Sequence, residues 1–290
     1  MKHSSSRDKY LPGLDNPLHS LGDFTLEQML ETSPSVLYSI KGEEPIILAG
    51  VNLSALEVEA VASLGKTGEA DGIILGYCVL RLINARNLQS VFYKTKISDV
   101  RIPVLTARPQ DNLLVTVERI MKKGWGYAVL VDPENRPTNL VGLLDLATFY
   151  LKSGIAEDLA KKRVKDKSSS PLFAINQNVT VSKAIRAMLD WHARRLLVKE
   201  PGMVISDRAV IKWLLSPANM AQLRDSPRRV LATPISSVSE VLHTPSLVDP
   251  DTDGATALEL IIKNDAHCVI TKDYKQIMTP WDLTVRLLVG

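Results

Sequence analysis

Hydrophobic and polar positions along this chain repeat one order: a helical spacing, an apolar strand, a tight polar turn, a second strand and a second helix. Leu113, Val117, Ile120 and Met121 stand three or four residues apart after the turn-forming Pro109-Gln110-Asp111-Asn112, which predicts an amphipathic helix. Tyr127-Ala-Val-Leu-Val131 predicts a strand and Asp132-Pro-Glu-Asn135 a turn. Leu140-Val-Gly-Leu-Leu144 predicts the second strand, running into a helix over Leu146–Leu151.

The same order returns twice. Val181, Ala184, Ile185, Met188 and Leu189 repeat the helical spacing, followed by strands at Leu196–Val198 and Met203–Ile205 and a helix at Val210–Leu215. Further on come a helix at Ala257–Ile262, a strand at His267–Ile270 and the turn Lys272–Lys275. A strand at Ile277-Met278 and a helix at Leu283–Leu288 complete that copy. The approaches match as well: Ile97-Ser-Asp-Val100 parallels Val238-Ser-Glu-Val241. A first copy is less regular. Asp71–Ile83 reads as turn, strand and helix, and Leu26, Met29 and Leu30 predict its early helix. The residues between, Val36 to Leu64, are expected to hold an insertion or a rearranged strand. Units this small bury their faces poorly alone, so neighbours should pair.

This α-β-β-α order, with a second strand ending in Gly-apolar-apolar-(Ser/Thr)-x-x-Asp, resembles the cystathionine-β-synthase (CBS) domain. The last unit carries the motif best, as Ile277-Met-Thr-Pro-Trp-Asp282, and Leu242-His-Thr-Pro-Ser-Leu-Val248 is similar to the family's entry strand. The resemblance covers roughly residues 17–290. It implies an α/β (α+β) fold of four tandem repeats, each β-α-β-β-α, paired into two Bateman modules. The expected boundaries are a flexible tail at 1–16, a degenerate repeat at 17–92, a second repeat at 93–156, a basic linker at 157–171, and repeats at 172–232 and 233–290.

The resemblance also implies a ligand: AMP, ADP or ATP in clefts between paired repeats. The Ser/Thr would contact phosphate or ribose, the Asp would accept from ribose hydroxyls, and backbone near the entry and second strands would hold adenine. The implied site residues are Thr279 and Asp282, with Thr244 and Pro245 on the entry strand, His267 at the second strand, and Ser206 and Arg195 in the third repeat. Arg194 or Arg195 could reach a phosphate bidentately.

Physical chemistry supports that pattern and also offers a plainer account of it. The first amides of a helix lack internal partners and favour an anion, a hydroxyl adds a donor, and an ionised carboxylate suits a pair of sugar hydroxyls. Thr-Pro-x-Asp is equally a good helix start, with Thr at the N-cap, Pro at N1 and an acid at N3. The two roles can coexist. The other repeats depart from the motif: Ser206-Asp-Arg-Ala209 has lost the acid, Asp145-Leu-Ala-Thr148 carries an acid in the hydroxyl's place, and Leu75-Gly-Tyr-Cys78 has neither polar group.

Composition narrows the function classes. A net charge of +3 over 290 residues is too small for a nucleic-acid-binding surface. Lys161-Lys-Arg-Val-Lys-Asp-Lys-Ser-Ser-Ser-Pro171 reads as a solvated linker, with an acidic or nucleic-acid partner as the rival. Cys78 and Cys268 lie far apart, giving no disulfide framework and fitting a cytoplasmic location. Met1–Asn16 lacks an apolar core of the secretory type, and no apolar run is long enough to span a bilayer. Gly65-Lys-Thr67 lacks the earlier glycine of a phosphate loop, Ala60 standing there, and Gly124-Trp-Gly126 precedes a strand rather than a helix.

No catalytic arrangement stands out and no catalytic cofactor is implied. The expectation is a regulatory nucleotide-binding protein, not an enzyme, that signals to a separate protein partner and forms a homodimer. Its rivals are a CBS scaffold with vestigial sites acting by protein contact, a nucleic-acid-associated regulator, and the same fold with another adenosyl ligand such as S-adenosylmethionine.

Overall fold

The computed structural model describes residues 21–83, 88–153, 156–167 and 170–289; the expected tail at 1–16 lies outside them. The chain enters through α1 (Leu26–Thr32), which starts on a reciprocal cap between Thr25 and Gln28. Repeat 1 then runs β1 (Ser39–Lys41), α2 (Ile46–Ala55), β2 (Ala60–Leu64), β3 (Ala70–Leu75) and α3 (Gly76–Leu82). It is followed by α4 (Leu88–Lys94). Repeat 2 has α5 (Ile97–Val100), β4 (Leu105–Ala107), α6 (Leu113–Lys123), β5 (Tyr127–Val131), β6 (Pro137–Gly142) and α7 (Leu143–Lys152).

The two halves are joined by α8 (Ala156–Ala160), α9 (Val164–Lys167) and β7 (Ser170–Pro171). Repeat 3 comprises β8 (Ala174–Ile175), α10 (Val181–Asp190), β9 (Arg195–Val198), β10 (Met203–Ser206) and α11 (Asp207–Leu214), with α12 (Pro217–Asp225) and α13 (Pro227–Leu231) appended. After two 3-10 turns, repeat 4 runs β11 (Leu242–His243), β12 (Ser246–Val248), α14 (Gly254–Lys263), β13 (Val269–Thr271), β14 (Gln276–Met278) and α15 (Pro280–Val289).

The first repeat is therefore complete, and it corrects the sequence reading in one place. Its early helix is α2, not the segment around Leu26, Met29 and Leu30. That segment is α1, whose buried Leu26 and Met29 join the core shared by repeats 2 and 4. Two physical facts hide α2. Its run Ile46-Ile-Leu-Ala-Gly-Val51 is apolar at every position and so shows no helical period. It also begins at Pro45 with no side-chain cap, whereas α6, α10 and α14 start on Asn112, Thr180 and Asp253. The continuous run follows from packing on several sides: α2 meets α3 and α4 of its own half and α11 of repeat 3.

Each half is built by exchange of entry strands. In the second half β11, leading into repeat 4, pairs antiparallel with β10 of repeat 3, and β7, leading into repeat 3, pairs with β14 of repeat 4. The first half does the same on a smaller scale, Ile102 and Ile73 exchanging both backbone hydrogen bonds at 2.9 Å. Within repeats 1 to 3 the first strand is parallel to the second and the second antiparallel to the third, and in repeat 4 β12, β13 and β14 follow the same order.

The halves meet through helices. One core joins repeats 1 and 3, where α2 and α3 pack on α11 through Ile46, Leu53, Val79, Ile211 and Leu214. A second joins repeats 2 and 4, where α7 packs on α14 and α15. Burying one such aliphatic side chain contributes about 1.5–3 kcal/mol, so each cross-half contact is substantial.

The basic stretch expected to be a linker is folded against repeat 4. Leu159 and Val164 are buried, and backbone bonds tie Val164 to Thr252 and Gly254 to Lys162, each at 2.9 Å. Two apolar anchors among its many charges are enough to seat it. Among the described residues no helix is long and apolar enough to cross a membrane.

Candidate functional site

The residues that open the second strand of each repeat converge where the four repeats meet. Glu59 precedes β2, Tyr127 opens β5, Arg194 and Arg195 stand at the start of β9, and Ala266 and His267 precede β13. The Tyr127 hydroxyl donates to Glu59 Oε2 at 2.9 Å and accepts from Arg194 Nη1 at 3.0 Å. Arg194 Nε also donates to Asp207 Oδ2 at 2.9 Å, a pair with only 5% of the Asp207 side chain exposed. Arg195 donates to the Ala266 carbonyl at 2.7 Å and to Glu59 at 3.5 Å. Burial alone would raise the Glu59 carboxyl, but the charges of Arg194, Arg195 and Arg208 hold it down to about 2. Glu59 is thus the buried anion of this junction.

Beside the junction lies a cleft of about 200 Å³ that draws residues from three repeats. Repeat 3 contributes Ser206, Arg208, Ala209 and Lys212; repeat 4 contributes His243, Asp265 and His267; α2 of repeat 1 and the residues after it contribute Leu53, Ser54 and Glu57. Arg208 and Lys212 are one helical turn apart on α11, which sets both cations on the same face. Burial lowers both His243 and His267, favouring neutral imidazoles; the Nδ1 of His267 faces the Ile261 carbonyl at 3.2 Å and donates to it, which leaves its other nitrogen an acceptor. The cleft therefore brings two cations, a hydroxyl, two neutral imidazoles and an apolar wall together with the carboxylates of Glu57 and Asp265.

The helix starts tested from the sequence are largely satisfied by the chain itself. At α11 the Asp207 amide bonds to the Arg194 carbonyl at 3.0 Å, the Arg208 amide to Asp207 Oδ1 at 2.9 Å, and the Ala209 amide to Ser206 Oγ at 3.1 Å. At α15 both the Thr279 amide and its hydroxyl donate to Asp282 Oδ2 at 2.8 Å, and Asp282 is 2% exposed. At α7 Asp145 takes the Gly142 amide at 2.7 Å, and burial pushes its carboxyl up to about 6. At α3 the anion comes from elsewhere: a Cβ on Gly76 would stand 2.7 Å from Asp207 Oδ2, so repeat 3 fills that helix start with a carboxylate.

The residues named from sequence fall into three places. Ser206 and His267 line the cleft, and Thr244 and Pro245 directly follow its His243, at the crossing from β11 to β12. Arg195 is committed to Ala266 and Glu59 at the junction. Thr279 and Asp282 bond to each other, away from the cleft lining. Sequence reading passed over Arg208 and Lys212, because the helix expected at Val210–Leu215 starts at Asp207 in the structure, which is what puts Arg208 one turn before Lys212 on α11. It also passed over Glu57, which only tertiary contact brings to the cleft. Among the described residues no group of three or more His, Cys, Asp and Glu side chains is placed to hold a metal ion.

Four β-α-β-β-α units in two strand-exchanged pairs are the tandem CBS-repeat fold. No protein-family profile and no curated protein matches the sequence. Among solved structures, the chain is similar to protein MJ1225 from Methanocaldococcus jannaschii, described as a proposed archaeal homologue of g-AMPK. That likeness has a TM-score of 0.75 at 15% identity, over 90% of this chain and 99% of that one. An uncharacterised conserved protein from Pyrococcus horikoshii is similar over 91% of this chain and 100% of its own, with TM-score 0.51 and 14% identity. A CBS domain protein from Pyrobaculum aerophilum, complexed with AMP, matches 42% of this chain and 90% of its own at TM-score 0.37 and 13% identity. At such identities the full-length likenesses define the fold.

Proposed function

We propose that this chain is a regulatory module that binds an adenine nucleotide in the cleft around Ser206, Arg208, Lys212, His243 and His267. The observation that carries this reading is the meeting of Arg208 and Lys212 with Ser206 and two neutral imidazoles in one cavity. Paired cations suit a phosphate chain, while a hydroxyl and imidazoles suit the donors and acceptors of ribose and base. The tandem-repeat resemblance points to the same ligand class. Among the described residues Ser206 Oγ caps α11 by accepting from the Ala209 amide, and His267 Nδ1 lies 3.2 Å from the Ile261 carbonyl, so neither is engaged as a nucleophile–base pair; our reading is binding without turnover, with a separate polypeptide as the regulated partner.

We take the cleft, rather than Thr279 and Asp282, as the principal site. Asp282 is buried and its Oδ2 already accepts two bonds from Thr279, so drawing that oxygen to ribose would compete with the cap that starts α15. Calorimetric titration with AMP, ADP and ATP tests the proposal. Saturable binding of at least one nucleotide is expected, with Lys212→Ala weakening ATP about tenfold, equivalent to ~1.4 kcal/mol. Absence of heat with all three, together with no shift in melting temperature, would contradict it.

A further inference from the structure

The cations of repeat 3 already face a partner. The short segment Glu57-Val58-Glu59, between α2 and β2 of repeat 1, lies along them. The Glu57 carbonyl accepts from Arg208 Nη1 at 2.6 Å and its carboxylate from Lys212 Nζ at 2.8 Å. Two residues on, Glu59 accepts from Tyr127 and Arg195 at the junction. Glu57 has φ 54°, the left-handed region that few side-chain-bearing residues adopt and that persists only where the surroundings hold it. Here the surroundings include the two cleft cations.

We infer that Glu57-Val58-Glu59 is an internal competitor for the phosphate of a nucleotide, a strap of repeat 1 that occupies the cations of repeat 3 until ligand displaces it. This rests on the cleft being the nucleotide site. A phosphate reaching Arg208 and Lys212 arrives beside the Glu57 carboxylate, and two like charges at contact distance repel. The strap's two ends differ in strength. The Glu57–Lys212 pair is 72% and 60% exposed, and ion pairs so exposed are worth little. The Glu59–Arg195 pair is only 14% and 12% exposed, within a network of further bonds. The strap therefore opens at Glu57 and stays anchored at Glu59.

Glu57 follows α2, and α2 packs on α11, the helix carrying both cations. Releasing Glu57 thus loosens the contact of repeat 1 with repeat 3. Ligand occupancy becomes coupled to the interface between the two halves, and the coupling is reciprocal: whatever holds the halves tightly weakens the ligand.

The test is titration of ATP and of inorganic triphosphate into the wild type, Glu57→Gln and Glu43→Gln. The Glu57 side chain is exposed, so its replacement leaves the fold standing. Glu43 pairs with Lys96 away from the cleft and controls for the change in net charge. Glu57→Gln is expected to bind both probes about two- to fivefold tighter, the range of an exposed ion pair, with Glu43→Gln unchanged. Hydrogen exchange of residues 53–59 should quicken when wild type binds ATP. Equal or weaker binding by Glu57→Gln, in a wild type that binds ATP and loses it with Lys212→Ala, overturns the strap and leaves the cleft reading standing. No binding by any variant overturns both.

Discussion

At the scale of single residues, the polar groups between the repeats are arranged so that one carboxylate is welcome and another is not. Glu59 is held down to about 2 by the arginines around it, so its contribution is complete above the ordinary carboxylate range near 4.5 and fades as pH falls toward 2. Asp145 works the other way. Its carboxyl is pushed up to about 6 by burial first and by the Glu59 charge as well, so folding favours its protonated form. Its stabilising share is complete below about 3.8 and lost as pH rises through 6. Asp145→Asn keeps an acceptor for the Gly142 amide and removes the buried charge. It should raise stability by roughly 1–3 kcal/mol at pH 7.5 and give no gain at pH 4, as read by denaturant unfolding at the two values. A variant equally stable with wild type at both values would show that Asp145 is not buried as a strained anion. Asp282→Ala belongs to the same scale. Losing two bonds from Thr279 at a buried helix start should cost about 1–3 kcal/mol of stability while leaving nucleotide affinity unchanged.

At the scale of elements, legibility followed the strength of the local signal. Repeats 2, 3 and 4 could be read because α6, α10 and α14 are amphipathic, begin on capping side chains and lead into strands bounded by turn residues. Repeat 1 could not, because α2 is apolar throughout and uncapped, its pattern being set by contacts with another repeat rather than by one buried face. The motif at Thr279–Asp282 could be read as a helix start, and that is the role its bonds display. Ser206 and His267 were legible as candidates because their repeat positions marked them; Arg208 stood at an unspecified position of the third repeat's Ser206-Asp-Arg-Ala209, before the expected helix, so nothing set it on one face with Lys212. Glu57 depends on contacts 151 and 155 positions away and Glu59 on contacts 68 and 136 positions away, which no local pattern encodes. Close packing of α3 on α11 gives a prediction at this scale. Gly76→Ala would drive a methyl onto Asp207 at 2.7 Å, with Ile211 at 3.2 Å behind it. Overpacking of this kind should cost about 1–3 kcal/mol and disturb the Arg194–Asp207 pair, measurable as a lower unfolding midpoint.

At the scale of the whole molecule, the four repeats form two strand-exchanged pairs, and each pair is fused to the other through shared hydrophobic cores. Neither half buries its surfaces alone: repeat 1 needs α11 over α2, and repeat 2 needs α14 and α15 against α7. The halves should therefore melt in a single calorimetric transition, and two resolved transitions would argue against the shared cores. The same fusion places the cleft where occupancy can be felt across the molecule, since its walls come from repeats 1, 3 and 4. The most direct measurement of that claim is amide hydrogen exchange by mass spectrometry with and without saturating ATP. Protection is expected over residues 204–212, 242–248 and 265–268, with 279–284 unchanged. Protection confined to 279–284 would return the site to the start of α15, and no change anywhere at saturating ATP would contradict nucleotide binding by this chain.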